Sequence, residues 1–294
     1  MGNTRRNYSL FEIYFSPGFI LMSVMIGGGF ATGREIVEFG GIYGSKGWVV
    51  GLFIAIGFSV LSMLSFEIAR LYKAYDYRTH LKIYSGPLSI IFDIVFFILS
   101  LIIMSVMSSA TGNVLEYTIG LPYHLGVMAI IILAALITFF GKTGIEKFEV
   151  WGAILLYLGY TLFAILAISG RTDNIIRIFT EGDMSYIEIG INVSIFQLIW
   201  TGLVYVGYNV QPLTATLFIL DRQKTRKETL ISGLLSGFII VIPWALTYLS
   251  LMAYYPSKEV FDSTIPWLVM MKNVGPTITV LFSIVVGWTL IATA

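Results

Sequence analysis

Three consecutive glycines, Gly27, Gly28 and Gly29, interrupt an apolar run from Phe15 to Ile42 that is long enough to cross a bilayer. Each glycine in a helix interior costs about 1 kcal/mol relative to alanine. Lipid offers no partner to the N–H and C=O groups freed at such a weak point, so they have to be met inside the protein or in a water-lined cavity. The stretch Ile26-Gly27-Gly28-Gly29-Phe30-Ala31-Thr32-Gly33-Arg34-Glu35-Ile36 therefore predicts a broken helix and a cavity at membrane depth. Glycine also serves close helix packing in membranes, although packing motifs space their small residues by four.

The composition places the chain among all-α, polytopic membrane proteins, with the lipid bilayer as its first partner. Of 294 residues, 57% are hydrophobic and 12% charged, about half the charged share of soluble domains. Cysteine is absent, which removes disulfides and thiolate metal sites. A net charge of +1 gives no basis for a nucleic-acid partner. At roughly 20 apolar residues per crossing, eight spans follow: Phe15–Ile42, Gly47–Ala69, Pro87–Val114, Leu125–Phe140, Phe148–Ser169, Ile187–Leu220, Thr229–Tyr254 and Val274–Ala294. Arg34 and Glu35, rather than a small-residue cleavage site, follow the first apolar stretch, so it reads as a mature span and not a signal peptide.

Basic residues orient the spans. Loops on the side of the N-terminus hold Arg5, Arg6, Arg70, Lys73, Arg78, Lys82, Lys142, Lys147, Arg222, Lys224, Arg226 and Lys227; the other side holds only Lys46, Arg171, Arg177, Lys258 and Lys272. The positive-inside rule then predicts a multi-pass protein of the cytoplasmic membrane with its N-terminus in the cytoplasm.

Span six is longer than a straight crossing needs and contains Val204-Tyr205-Val206-Gly207-Tyr208-Asn209-Val210-Gln211-Pro212. Proline is tolerated in the first turn of a helix, where its missing N–H has no partner to lose. One half-helix is expected to end near Gly207 and another to begin near Pro212; a continuous helix with a proline kink is the other reading. Spans one and six are five crossings apart and so run in opposite directions. That is the pattern of an inverted repeat whose halves each begin with a broken helix, with the site between them.

This order of spans, the two breaks and the motif from Gly27 to Ile36 resemble the YkvI-type permeases of the amino acid–polyamine–organocation superfamily. The resemblance implies a LeuT-like fold of two five-helix inverted repeats, here 1–170 and 171–294. The stop at Ala294 inside an apolar stretch implies a chain lacking the last two helices of the second repeat.

Broken helices suit a zwitterion. The N-terminal end of a half-helix offers amides and partial positive charge to a carboxylate, here from Ala31, Thr32 and Gly33, with Gly27, Gly28 and Gly29 keeping side chains out of the way. The opposite ends offer carbonyls to an ammonium group or Na⁺, here Met25, Ile26 and Gly27, and Val204, Tyr205 and Val206. Gly207, Tyr208 and Asn209 complete the second break. Glu35 is an ionisable group inside a span, a functional candidate by default; it holds a proton for coupling, contacts a substrate amine, or sits in a wet vestibule. Arg34 and Glu38, at i and i+4, are expected to pair. Sodium-coupled members of the superfamily use hydroxyls of the eighth helix together with first-helix carbonyls. The resemblance thus points to Thr289 and Thr293 beside Met25 and Ile26 as a Na⁺ site, although such hydroxyls usually bond back to their own helix. Span five carries no lysine of the kind some proton-coupled relatives use, which leaves Na⁺ or Glu35.

A polar face of span three, Ser105, Ser108, Ser109 and Gly112, lines a cavity or forms a packing seam. Glu67 and Asp93 are expected to snorkel or to pair with the basic loop Arg70–Lys82. An enzyme would need a nucleophile with its base, or metal ligands, at depth, whereas His80 and His124 fall in loops on opposite sides. The expected activity is secondary transport of a small amino-acid-like or amine solute by alternating access, coupled to Na⁺ or H⁺ and without a cofactor. A channel, or a membrane-embedded receptor or enzyme without solute coupling, is the alternative.

Overall fold

The computed structural model describes residues 8–139, 141–186 and 193–293; Arg5, Arg6, the segment 187–192 at the start of span six, and Ala294 lie outside them. The described residues form helices and connecting turns, with no strand among them. In order they are α1 (Leu10–Tyr14), α2 (Ser16–Met25), α3 (Gly28–Thr32), α4 (Arg34–Phe39), α5 (Trp48–Tyr72), α6 (Tyr77–Ser85), α7 (Ser89–Ile119), α8 (Tyr123–Thr138), α9 (Gly141–Ile168), α10 (Thr172–Glu181), α11 (Ile195–Tyr208), α12 (Arg226–Tyr254), α13 (Lys258–Phe261), α14 (Pro266–Lys272) and α15 (Pro276–Thr293). Short 3₁₀ segments, Gly41–Lys46, Gly86–Leu88 and Gln211–Arg222, join some of them.

The eight apolar runs of the sequence map one to one onto this order. Four helical stretches are long and apolar enough to cross a membrane unaided: Trp48–Tyr72, Tyr77–Ile119, Gly144–Ile168 and Arg226–Tyr254. A fifth is the pair Ile195–Tyr208 and Gln211–Arg222, bent by 59°. Ser16–Met25, Tyr123–Ile137 and Pro276–Ile291 are shorter apolar helices. The first of these is short because the glycine run ends it. The chain is a polytopic helical membrane protein.

Helix starts follow local chemistry. Thr225 and Glu228 form a reciprocal capping box at the start of α12, and the Ser194 hydroxyl accepts from the Gln197 amide to begin α11. At the centre, α5 and α12 pack antiparallel, with Gly233 against Met63, Gly237 against Ser59 and Gly51 against Trp244. The approach is close enough that a Cβ on Gly237 would lie 2.1 Å from Ser59 Oγ and 2.5 Å from the Ala55 carbonyl oxygen. Small residues therefore hold this pair together by backbone contact, as membrane helices generally require. Half of the apolar window of each of these two helices is buried, against 6% of that in Tyr77–Ile119. That difference places α7 at the periphery, its outer face carrying Ile90, Phe97, Ile98, Leu101 and Ile102.

Candidate functional site

The first span is broken twice. α2 ends at Met25, and Gly27 turns its amide onto the Met25 carbonyl (2.8 Å), withdrawing the bond that Ser23 would have received in a helix. α3 then runs for one turn to Gly33, whose φ of +86° is the left-handed conformation that glycine alone adopts without strain. α4 resumes at Arg34. The sixth span stops at Tyr208, passes through Asn209 and Val210, and restarts as the 3₁₀ segment at Gln211.

The two broken spans come side by side. α2 packs on Gln211–Arg222, while α4 packs on α11. Across the second contact the Tyr205 hydroxyl, fully buried, donates to Glu35 Oε2 (3.3 Å), and the Tyr205 ring meets Phe39 edge to face at 5.0 Å. On the far side of span one, Tyr160 of α9 donates to the Ala31 carbonyl (3.0 Å) and its ring packs edge-on to Phe30 and Trp267. Trp267 closes over Gly33, where an added Cβ would lie 3.0 Å from its Cδ1. Its indole N–H reaches Thr247 (3.3 Å).

Several expectations need correction at the level of individual groups. The Ala31 and Gly33 amides are not free: they bond to the Gly27 carbonyl (2.6 Å) and the Phe30 carbonyl (2.9 Å), because α3 closes its own turn. The Tyr205 carbonyl is likewise taken, accepting from both the amide and the side-chain Nδ2 of Asn209. Tyr205 and Asn209 face inward, whereas Tyr208 is 65% exposed and Gly207 faces open space. Tyr205 and Asn209, four residues apart, share the inward face, Gly207 lies on the opposite one, and Tyr208, about 60° round from Tyr205, falls at the edge of the packed face. Thr32 is buried, and its hydroxyl lies 3.4 Å from the Arg34 amide. Thr289 is buried with its hydroxyl turned back onto the Val286 carbonyl (2.7 Å), while the Met25 carbonyl accepts from Gly27 and the Ile26 amide bonds to Met22; the side chain of Thr293 lies outside the described residues. Gly28 and Gly29 form the first turn of α3.

Polar ties secure both ends of the broken spans. Arg34 pairs with Glu38 (2.8 Å) and donates to the carbonyls of Phe261 (2.6 Å) and Ser263, fastening α4 to the loop around α13. At the other end Arg222 makes a bidentate pair with Glu146 (2.6 Å for each bond), and Gln223 Nε2 donates to the Ile13 carbonyl. Glu67 pairs with Arg70 in the last turn of its own helix, α5, and accepts from Thr229 (2.6 Å). On span three, Gly112 abuts the Tyr123 ring, whose hydroxyl donates to Ser109, so this part packs as a seam against α8, while the Thr111 hydroxyl bonds back to Met107 and Ser105 is exposed and bonds back to Leu101. A cleft of about 680 Å³ lies elsewhere, between the end of α7 (Asn113, Glu116, Tyr117) and the Glu259–Lys272 segment.

Two functional candidates escaped the sequence reading. Tyr160 is one aromatic among many in the chain, and nothing marks it. Glu149 is different: a carboxylate between Phe148 and Val150 inside span five satisfies the general rule for intramembrane ionisable residues, and a search of that span for lysine alone passes over it.

No family model matches the sequence. Over 142 residues, 48% of this chain, it is 28% identical to a protein of Bacillus subtilis (strain 168) described as the uncharacterized membrane protein YkvI. This is a membrane protein. The matched stretch spans 41% of the length of that relative, and no solved structure matches the chain.

Proposed function

We propose that the protein is a secondary transporter that moves a small amino-acid-like or amine solute across the cytoplasmic membrane by alternating access. The reading rests on one observation: two interrupted spans lie against each other in opposite directions, α2 on Gln211–Arg222 and α4 on α11. Interrupted backbone at membrane depth is tolerated where it lines a cavity or is met by protein, and paired antiparallel breaks are how many carriers bind solute. Glu35, Tyr205, Asn209 and the glycine segment Gly27–Gly33 then border the solute, and Tyr160 fixes the Ala31 carbonyl from behind. In this reading the face bearing Arg222 and Lys224 is cytoplasmic, Na⁺ or H⁺ supplies the driving force, and the two halves are the LeuT-like inverted repeats 1–170 and 171–294. With the Ala31 and Gly33 amides and the Met25 and Tyr205 carbonyls already bonded within the chain, the side chains of Glu35, Tyr205 and Asn209 carry the polar contacts to the solute in this reading.

A thermal-shift screen of the purified protein against amino acids and amines, with and without Na⁺, identifies the solute. Counterflow of that solute, labelled, into preloaded proteoliposomes is then expected. A carrier exchanges label against an opposing gradient and a pore does not, so leak without counterflow would refute the reading and favour a channel.

A further inference from the structure

Glu149 contributes the one carboxylate oxygen among the described residues that is buried without a hydrogen-bond partner. The residue is 6% exposed on α9, less than one turn beyond Glu146, whose own carboxylate is consumed by Arg222. It faces Ser23 of α2, a fully buried hydroxyl that also has no well-formed hydrogen bond, one turn ahead of the break at Gly27. A third polar group meets the same turn of α9. Trp288 of α15 stacks on Phe148 (4.5 Å between centroids) and lies against Gly152, with its indole N–H unpartnered.

Among the described residues no countercharge stands where the helices converge. α2 and α15 contain no ionisable residue. The ionisable groups of α12 stand at its start (Arg226, Lys227, Glu228) or in its second half (Tyr248, Tyr254); α8 offers Tyr123 and His124 at its first turn, and α14 offers Lys272 at its end. On α9 itself Glu146 is paired, Lys147 is exposed, and Tyr157 and Tyr160 bond to the carbonyls of Ile239 and Ala31. An ionised carboxylate buried without a partner costs several kcal/mol, so a group in this position is neutral or holds a cation.

We propose that Glu149 is a proton-carrying site, neutral while α2 packs on α9 and deprotonated when α2 moves away. The joint for that movement is the Ile26–Gly27 link, where the helix is already interrupted. Displacing α2 removes Ser23 from the carboxyl and admits water from the face bearing Arg222. The acid then transfers its proton to water on that face, leaving the carboxylate hydrated, and the proton that restores the neutral acid as α2 repacks comes from the opposite face, so one cycle moves one proton. Linking this proton to solute movement rests on the transporter reading above. The proton site itself does not.

The test uses the full chain in vesicles of phosphatidylethanolamine and phosphatidylglycerol. Infrared spectra through a pH titration are expected to show a neutral-carboxyl C=O band that persists above the ordinary glutamic acid range. Measured in the Glu35→Gln background, which removes the glutamate bonded to Tyr205, the band should remain, move when Glu149→Asp is added and vanish when Glu149→Gln is added. Because the carboxamide has the shape of the neutral acid, Glu149→Gln should keep the thermal stability of the wild type, and Glu149→Asp provides a second readout. A band unchanged by Glu149→Gln would overturn the proposal, as would a Na⁺-dependent thermal shift lost in that variant with no neutral-carboxyl band in the wild type. With the solute identified, Glu149→Gln should keep counterflow while accumulation driven by a pH gradient falls to the level of empty vesicles. A vanished band with no counterflow in the wild type would keep the proton site and reject the transport reading. Wild-type counterflow with gradient-driven accumulation intact in Glu149→Gln would do the reverse for coupling.

Discussion

Gly33→Ala tests the break in span one directly. Two costs arise at this position. A residue with a Cβ held at φ +86° pays the left-handed penalty of about 1–2 kcal/mol. The new methyl also lies 3.0 Å from Trp267 Cδ1 and 3.5 Å from Pro266 Cβ, in a wall where Trp267 is fully buried, and overpacking of this kind costs about 1–3 kcal/mol. Together they destabilise by about 3 kcal/mol. Gly207→Ala is the matched control: it sits inside α11, nothing lies within 4 Å of its added Cβ, and alanine there stabilises by up to about 1 kcal/mol. Equilibrium unfolding in mixed micelles measures both. Trp267→Phe in the Gly33→Ala background separates the two costs, because trimming the indole relieves the steric one and leaves the backbone one; the cycle should show a favourable coupling. If Gly33→Ala falls within about 0.5 kcal/mol of wild type, the size of an ordinary surface substitution, the left-handed turn is not part of the native chain and the second interruption of span one is lost with it.

Other predictions concern the ties around the breaks. Glu35→Gln should reduce solute counterflow and alter its pH dependence, and unchanged behaviour in proteoliposomes would remove Glu35 from the site. Arg222→Ala should destabilise by about 2 kcal/mol, as expected for charged hydrogen bonds that are largely shielded. The swap of Arg222→Glu with Glu146→Arg should recover part of it, and a swap no better than the single change would refute the pair. Asp183 lies in the connection after α10, and its carbonyl receives the Ser45 amide (2.9 Å). Burial works against its ionisation, but hydrogen bonds from Ser185 and Arg177 outweigh that and hold its carboxyl below the usual range. A depressed folded value means stability that is present above the unfolded aspartate range and is lost as pH falls through the folded one. The protection factor of the Ser45 amide, measured against its intrinsic exchange at each pH, should therefore fall in acid, and Asp183→Asn should abolish that acid step.

Much of this protein is legible from the order of its residues. Eight apolar runs, the asymmetry of Arg and Lys between loops, and the weak points at Gly27–Gly29 and Gln211-Pro212 all express local physics, since hydropathy decides crossing and glycine or proline decides where a helix fails. The ion pair of Arg34 with Glu38 follows from helical spacing for the same reason. Tertiary structure decided the rest. Which amides are taken is a matter of how α3 closes its turn, so the bonds that occupy the Ala31 and Gly33 amides could not be foreseen from sequence. Whether an aromatic faces inward depends on its neighbours, which separate Tyr205 from Tyr208 three residues later. Glu149 is visible as a letter in an apolar span, but only the packing of α2 and α15 around it leaves its carboxyl without a countercharge, and that isolation is a property of three helices that the chain brings together from positions more than a hundred residues apart.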